Sequence, residues 1–114
     1  MLAKLHRLQK QKDFKKVFKK GKGFRETLLS LKTVKNDLNC SRFGFVVSQK
    51  ISKKANIRNK VKRKLREIIK TKIKLIKPGN DIVVIALPGL ENKNFQEIKE
   101  MVNELLKKSG LTKK

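Results

Sequence analysis

Phe14, Val17 and Phe18 fall at i, i+3 and i+4, which gives a short helix one apolar face. Asp13 is placed to cap that helix, and Gly21 and Gly23 to end it. Residues 27–34 are dense in apolar and β-branched side chains and predict a strand, which the turn-prone Lys35-Asn36-Asp37 closes. Residues 42–48 alternate, with Phe43, Phe45 and Val47 on one side and Gly44, Val46 and Ser48 on the other. The short polar loop between these two strands predicts an antiparallel hairpin.

A long helix is predicted over residues 55–76. At about 100° per residue, Ile57, Val61, Leu65, Ile68 and Ile69 gather on one side of it and face a core. Pro78-Gly79-Asn80 stops this segment. Residues 82–87, a continuous apolar run between turns, have the pattern of a central strand buried on both faces. Phe95, Ile98, Val102 and Leu105 then stripe a last helix, with Met101 and Leu106 beside it, and residues 109–114 are expected to fray. The order α-β-β-α-β-α, without an internal repeat, predicts a small two-layer α+β sandwich, one domain over residues 1–114.

Charge changes the picture from fold to partner. The chain sets 32 Lys and Arg against 9 Asp and Glu, a formal net charge of +23. Self-repulsion of this size opposes folding, so a polyanionic partner is implied; each cation placed on a phosphate releases condensed counterions. Residues 50–77 alone carry thirteen cations, opposed only by Glu67. On the predicted helix Arg58, Lys62 and Arg66 step along one flank of the apolar stripe, about 40° apart. Asn59, Arg63 and Lys70 lie further round, and Lys60 and Lys64 occupy the far flank. A charge run is most often just a solvated face, but such a face relies on alternating acids, and like charges at i, i+4 destabilise a helix. The near-absence of acids favours a phosphate-tracking surface. Arg58, Arg63 and Arg66 add a planar fork suited to bidentate phosphate contact or base stacking.

Other chemistries find less support. No apolar run approaches the roughly 18 residues of a membrane span. Several core stripes argue against one amphipathic helix lying on a membrane surface. The segment MLAKLHRLQKQKDF lacks the apolar stretch of a secretory signal, and Cys40 is the only cysteine, so a cytoplasmic, reducing location is expected. His6 is equally alone, with no metal-ligand cluster around it. No nucleophile–base pair or paired acids suggest catalysis or a small-molecule substrate, and Gly21-Lys22-Gly23 falls short of a phosphate loop. Phe43 and Phe45 are expected in the core. Spacing alone leaves Phe14 and Phe18 open between core packing and stacking on unpaired bases.

Three blocks resemble the protein component of bacterial ribonuclease P. They are Arg7-Leu8 with Asp13-Phe14-Lys15-Lys16-Val17-Phe18-Lys19-Lys20-Gly21; Arg42-Phe43-Gly44-Phe45-Val46-Val47-Ser48-Gln49-Lys50; and Arg58-Asn59-Lys60-Val61-Lys62-Arg63-Lys64-Leu65-Arg66-Glu67. The resemblance covers nearly the whole chain. It implies the ribonuclease P protein-like fold, shared with the second domain of ribosomal protein S5, with a left-handed crossover where general rules predict a right-handed one. It implies a non-catalytic protein subunit: an RNA subunit, using Mg²⁺, removes the 5′ leader of precursor tRNA, and the chain itself binds no cofactor. By analogy Arg58, Asn59, Lys60, Lys62, Arg63 and Arg66 meet the catalytic RNA. Phe14, Phe18 and Ser48, with the Arg58, Lys62, Arg66 flank, border a cleft for the single-stranded leader. The chain departs from the family pattern at Lys60, which replaces an Arg of the signature, and at Leu87 and Lys32. The loop 51–54 is also one residue longer than usual. The competing expectation is a small basic ribosomal protein.

Overall fold

The computed structural model describes residues 6–113. Its elements are α1 (Gln11–Lys20), β1 (Lys22–Glu26), β2 (Leu29–Lys35), β3 (Arg42–Val46), α2 (Ala55–Lys72), β4 (Asn80–Ala86) and α3 (Phe95–Lys108). Single 3₁₀ turns follow α2 at Ile73–Leu75 and precede α3 at Leu90–Asn92. The long helix is therefore α-helical to Lys72, and its last predicted turn tightens instead of continuing.

The four strands lie in the order β1-β2-β4-β3. Strand β4 takes the central position that its apolar run predicts. Ile82, Val84 and Ala86 enter the main core, and Val83 enters a second cluster on the opposite face. It runs antiparallel to β2 and parallel to β3, and α2 supplies the connection that a parallel pair requires.

The predicted hairpin between residues 27–34 and 42–48 does not form, because β4 inserts between the two strands. A strand apolar on both faces needs a partner on each edge, and β2 and β3 supply them. The hairpin that does form joins β2 to β1, a strand absent from the expected order. With Phe24 its only large apolar residue, β1 has the charged, short character of an edge strand. Its turn is Thr27-Leu28, with Thr27 at φ 52°, a conformation a β-branched residue seldom adopts.

The α+β class holds, and the sheet is covered on both faces. Helices α2 and α3 pack over the main core, where Leu65, Ile68, Ile69, Ile98 and Leu105 are fully enclosed with Leu29, Leu31 and Phe43. Helix α1 lies on the opposite face, adding a partial third layer: Val17 is buried there with Leu8 and Val83, and Phe14, Val34, Val46 and Ile85 pack around them. Asp13 does not cap α1; it sits inside the first turn, and Lys10 occupies the cap position without a side-chain hydrogen bond. At the other end of the chain, residues 109–113 are anchored, not frayed. Leu111 is buried, Lys77 N–H donates to its carbonyl at 2.8 Å, and Lys113 N–H donates to Leu75 O at 2.6 Å.

Candidate nucleic-acid interface

Helix α2 is held from inside and charged outside. Val61, Leu65, Ile68 and Ile69 are buried, and the flanking Arg58, Lys62 and Arg66 are half-buried. Asn59, Lys60, Arg63 and Lys70 are exposed. The helix begins at Lys54 with no side-chain cap, and its first turn holds no acid. Its free N–H groups and the positive end of its dipole thus coincide with Lys53, Lys54, Arg58 and Lys60. This arrangement costs the helix stability and attracts anions. Arg58 also has a local task, donating from Nη1 to Ser52 O at 2.9 Å and so fixing the loop that leads into the helix.

A pocket of about 240 Å³ lies where the segment before α1, β3 and α2 meet, lined by Arg7, Leu8, Gln9, Phe14, Phe43, Gly44, Phe45 and Arg66. Gly44 makes room for the Phe14 ring: a Cβ there would collide with that ring and press on Leu8. Phe14 is half-buried against the second cluster and also lines this pocket. Arg66 reaches the same wall from α2. Phe18, 40% exposed, lies one helical turn beyond Phe14 and outside this lining. The Lys32 ammonium sits 5.8 Å from the Phe18 ring centroid and donates to Phe18 O at 3.2 Å. Lys32 thus covers one side of the ring with a cation. Ser48 is exposed just past β3, where its Oγ accepts from Lys50 N–H at 3.2 Å. Of the predicted cleft residues, Phe14 and Arg66 share the pocket; Phe18, Ser48, Arg58 and Lys62 do not line it.

Sequence reasoning missed the network that ties α1 to the sheet beside this pocket. Arg42 on β3 donates from Nε and Nη2 to the two carboxylate oxygens of buried Asp81 on β4, at 2.8 and 2.6 Å. Its third nitrogen lies 3.5 Å from Asp13 on α1. Asn36 donates to Asp81 at 2.9 Å and to Cys40 O at 3.1 Å. The hydrogen bond to Asp81 holds the Arg42 guanidinium above its already high ordinary value, so the fork stays charged at any pH the fold meets. The clue was present in the sequence as the acid Asp81 opening an otherwise apolar strand, a place where burial demands a cationic partner.

The family model for ribonuclease P matches residues 2–110. The chain belongs to the ribonuclease P protein family. It is 37% identical to the ribonuclease P protein component of Synechocystis over 111 residues, covering 96% of this chain and 90% of that one. Among solved structures, the RNase P protein of Staphylococcus aureus superposes with a TM-score of 0.87 at 30% identity, covering 94% of this chain and 97% of that one. The RNase P protein of Thermotoga maritima superposes with a TM-score of 0.82 at 37% identity, covering 90% and 96%. The block 58–67 that carries the resemblance falls within α2, and the block 13–21 falls mostly on α1. No group of three or more His, Cys, Asp or Glu able to hold a metal occurs among the described residues, and no helix there is long and apolar enough to cross a membrane.

Proposed function

We propose that this chain is the protein subunit of ribonuclease P, with two tasks divided across α2. The outer track of Arg58, Asn59, Lys60, Lys62, Arg63 and Arg66 holds the catalytic RNA. The groove between α1, β3 and α2, with Phe14 as its wall, Phe18 and Ser48 near its ends and the Arg58, Lys62, Arg66 flank along it, receives the 5′ leader of precursor tRNA. The observation that carries this reading is the meeting of Phe14 and Arg66 in one pocket beside an acid-poor helix. An aromatic wall with a cationic rim suits an unpaired strand, whose bases stack while its phosphates are neutralised. Cleavage, with its Mg²⁺, belongs on this reading to the RNA subunit, and no residue of this chain is assigned a catalytic step. The reading also puts the protein in the cytoplasm with its RNA partners.

Reconstitution tests it. Added to a bacterial ribonuclease P RNA at low Mg²⁺, the protein should stimulate cleavage of precursor tRNA. Absence of stimulation at every protein concentration would overturn the subunit role proposed here. Arg58→Ala and Arg63→Ala should each weaken binding to that RNA and make the log–log salt slope shallower by up to about one unit per lost phosphate contact. An unchanged slope means that these side chains point elsewhere. Phe14→Ala and Phe18→Ala should weaken leader-bearing tRNA more than mature tRNA.

A further inference from the structure

The two edges of the sheet are finished differently. Along β3 the segment before α1 adds pairing: Arg7 bridges Phe43 in parallel, and Leu8 N–H donates to Phe43 O at 2.8 Å. Along β1 no further strand follows among the described residues. Which backbone groups β1 turns outward is fixed by its hairpin. Antiparallel partners alternate between pairs that exchange both hydrogen bonds and pairs that exchange none. The two-residue turn Thr27-Leu28 makes Glu26–Leu29 an exchanging pair, so Phe24–Leu31 and Lys22–Thr33 exchange as well. Gly23 and Arg25 therefore direct their N–H and C=O groups away from the sheet. Two side-chain contacts agree with this parity. Phe24 O accepts from Ser30 Oγ on β2 at 3.2 Å, and Arg25 O accepts from Lys108 Nζ on α3 at 3.1 Å.

An outward row of this kind is a template for another strand, and charged side chains normally protect it. The sequence Lys-Gly-Phe-Arg-Glu, however, is complementary to its own reverse. Antiparallel self-pairing centred on Phe24 sets Gly23 of each copy opposite Arg25 of the other, so every outward N–H and C=O meets a partner. The same register sets Lys22 opposite Glu26 at both ends. Phe24 faces its own copy in a non-exchanging pair, where side chains approach most closely. Lys22, Phe24 and Glu26 share one face of the strand. The two neighbouring registers that also align outward groups are worse: one sets Arg25 against Arg25, and the other sets it against Gly21, beyond the strand. Net charge opposes self-association, but it is unevenly spread. Helix α3, which packs against β1, carries three acids and three lysines, and Glu26 adds a fourth acid. The outer face of α2 stays free, because β1 lies at the other end of the sheet from β3 and the groove. We propose that β1 is a self-association strand, through which two copies of this chain join their four-stranded sheets edge to edge. On pairing, the Gly23 N–H of the second copy takes the place of Lys108 on Arg25 O.

Sedimentation equilibrium of the full chain tests the pairing, in about 0.3 M salt so that the net charge is screened. A monomer–dimer equilibrium should appear, with a dissociation constant on the order of 10–100 µM, as suits a small interface. Gly23→Pro removes an outward N–H that the single chain does not use, and an exposed edge tolerates proline. Its loss from both copies should weaken the dimer about tenfold and leave the thermal transition in place. Lys22→Glu should also weaken it, by setting like charges at both ends, and Lys22→Glu with Glu26→Lys should restore it. The register has its own readout. In a Cys40→Ser background, Phe24→Cys should form a disulfide-linked dimer on oxidation, because the residues of a non-exchanging pair lie within disulfide reach. Arg25→Cys in that background should not, since its counterpart lies diagonally across the pair. If Gly23→Pro proves unfolded, Lys22→Glu and its rescue decide. A monomer at every concentration overturns the proposal, as does a dimer that survives these edge variants undiminished. Equal cross-linking by Arg25→Cys and Phe24→Cys overturns it too, because the register that carries the argument is then absent.

Discussion

Helices α2 and α3 pack side by side on one face of the same sheet, each with four buried apolar side chains, and their outer faces are built on opposite plans. Helix α3 begins with a complete capping box: Asn94 Oδ1 accepts from Glu97 N–H at 2.8 Å, and Glu97 Oε1 accepts from Asn94 N–H at 3.2 Å. Its acid stands at the positive end of the dipole and its Lys107 and Lys108 at the negative end, where Glu104 and Glu26 pair with them. Helix α2 has no side-chain cap, no acid in its first turn and an outer surface on which cations far outnumber its one acid, Glu67. Helix α3 caps its own start; helix α2 leaves its start uncapped. The core, not the outer face, must therefore hold α2, and its exposed charge is free to serve binding.

The strongest consequence is that the two helices should be equally intolerant of cavities despite their different exteriors. Leu65→Ala on α2 and Leu105→Ala on α3, both at positions essentially without solvent exposure, should each cost about 2–5 kcal/mol. Urea unfolding monitored by circular dichroism measures both. A loss at Leu65 far below that at Leu105 would break the comparison, because α2 would then be only loosely seated without RNA.

That shared interior is also the part of the molecule most legible in the sequence. The stripes Val61-Leu65-Ile68-Ile69 and Ile98-Val102-Leu105 are long and periodic, and both helices form where they predict. The run 82–86 reads correctly as a central strand because only a strand covered on both faces has use for consecutive apolar residues. Strand β1 was hidden since its pairing supplies what its side chains do not: Lys22, Gly23, Arg25 and Glu26 offer no alternation, and Thr27-Leu28 is not a turn-favouring pair. The order of strands was illegible for a related reason, as a polar loop of hairpin length fits two strands whether or not a third comes between them. At the candidate site, the flank of Arg58, Lys62 and Arg66 follows from helical spacing. The Arg7–Arg66 pocket and the Arg42–Asp81–Asp13 link join residues distant in sequence, which no local pattern brings together.

Removing the self-sufficiency of α3 should cost stability and nothing else. Asn94→Ala deletes the cap of a helix whose outer face carries Glu97, Glu100 and Glu104, and should destabilise the fold by about 1 kcal/mol. The affinity of the folded protein for ribonuclease P RNA should stay unchanged, as read by titration well below the melting temperature. A loss of RNA affinity would bring α3 into the interface and dissolve the division between the two helices.

The smallest expected effect is the most discriminating, because its two readouts should move in opposite directions. Lys54 holds the N-cap position of α2 in an extended conformation, φ −80° and ψ 119°, which a capping serine adopts readily. Lys54→Ser should therefore stabilise the protein by about 0.5 kcal/mol, supplying an acceptor to a free N–H of the first turn and removing a cation from the positive end of the dipole. If the uncapped, cationic start of α2 serves RNA, the same change should weaken binding and make its salt slope shallower by up to about one unit. A gain in stability with no loss of affinity would make the missing cap an accident of sequence. A gain accompanied by weaker binding means that the chain keeps its second helix less stable than it could be, in exchange for a helix end that an RNA phosphate can complete.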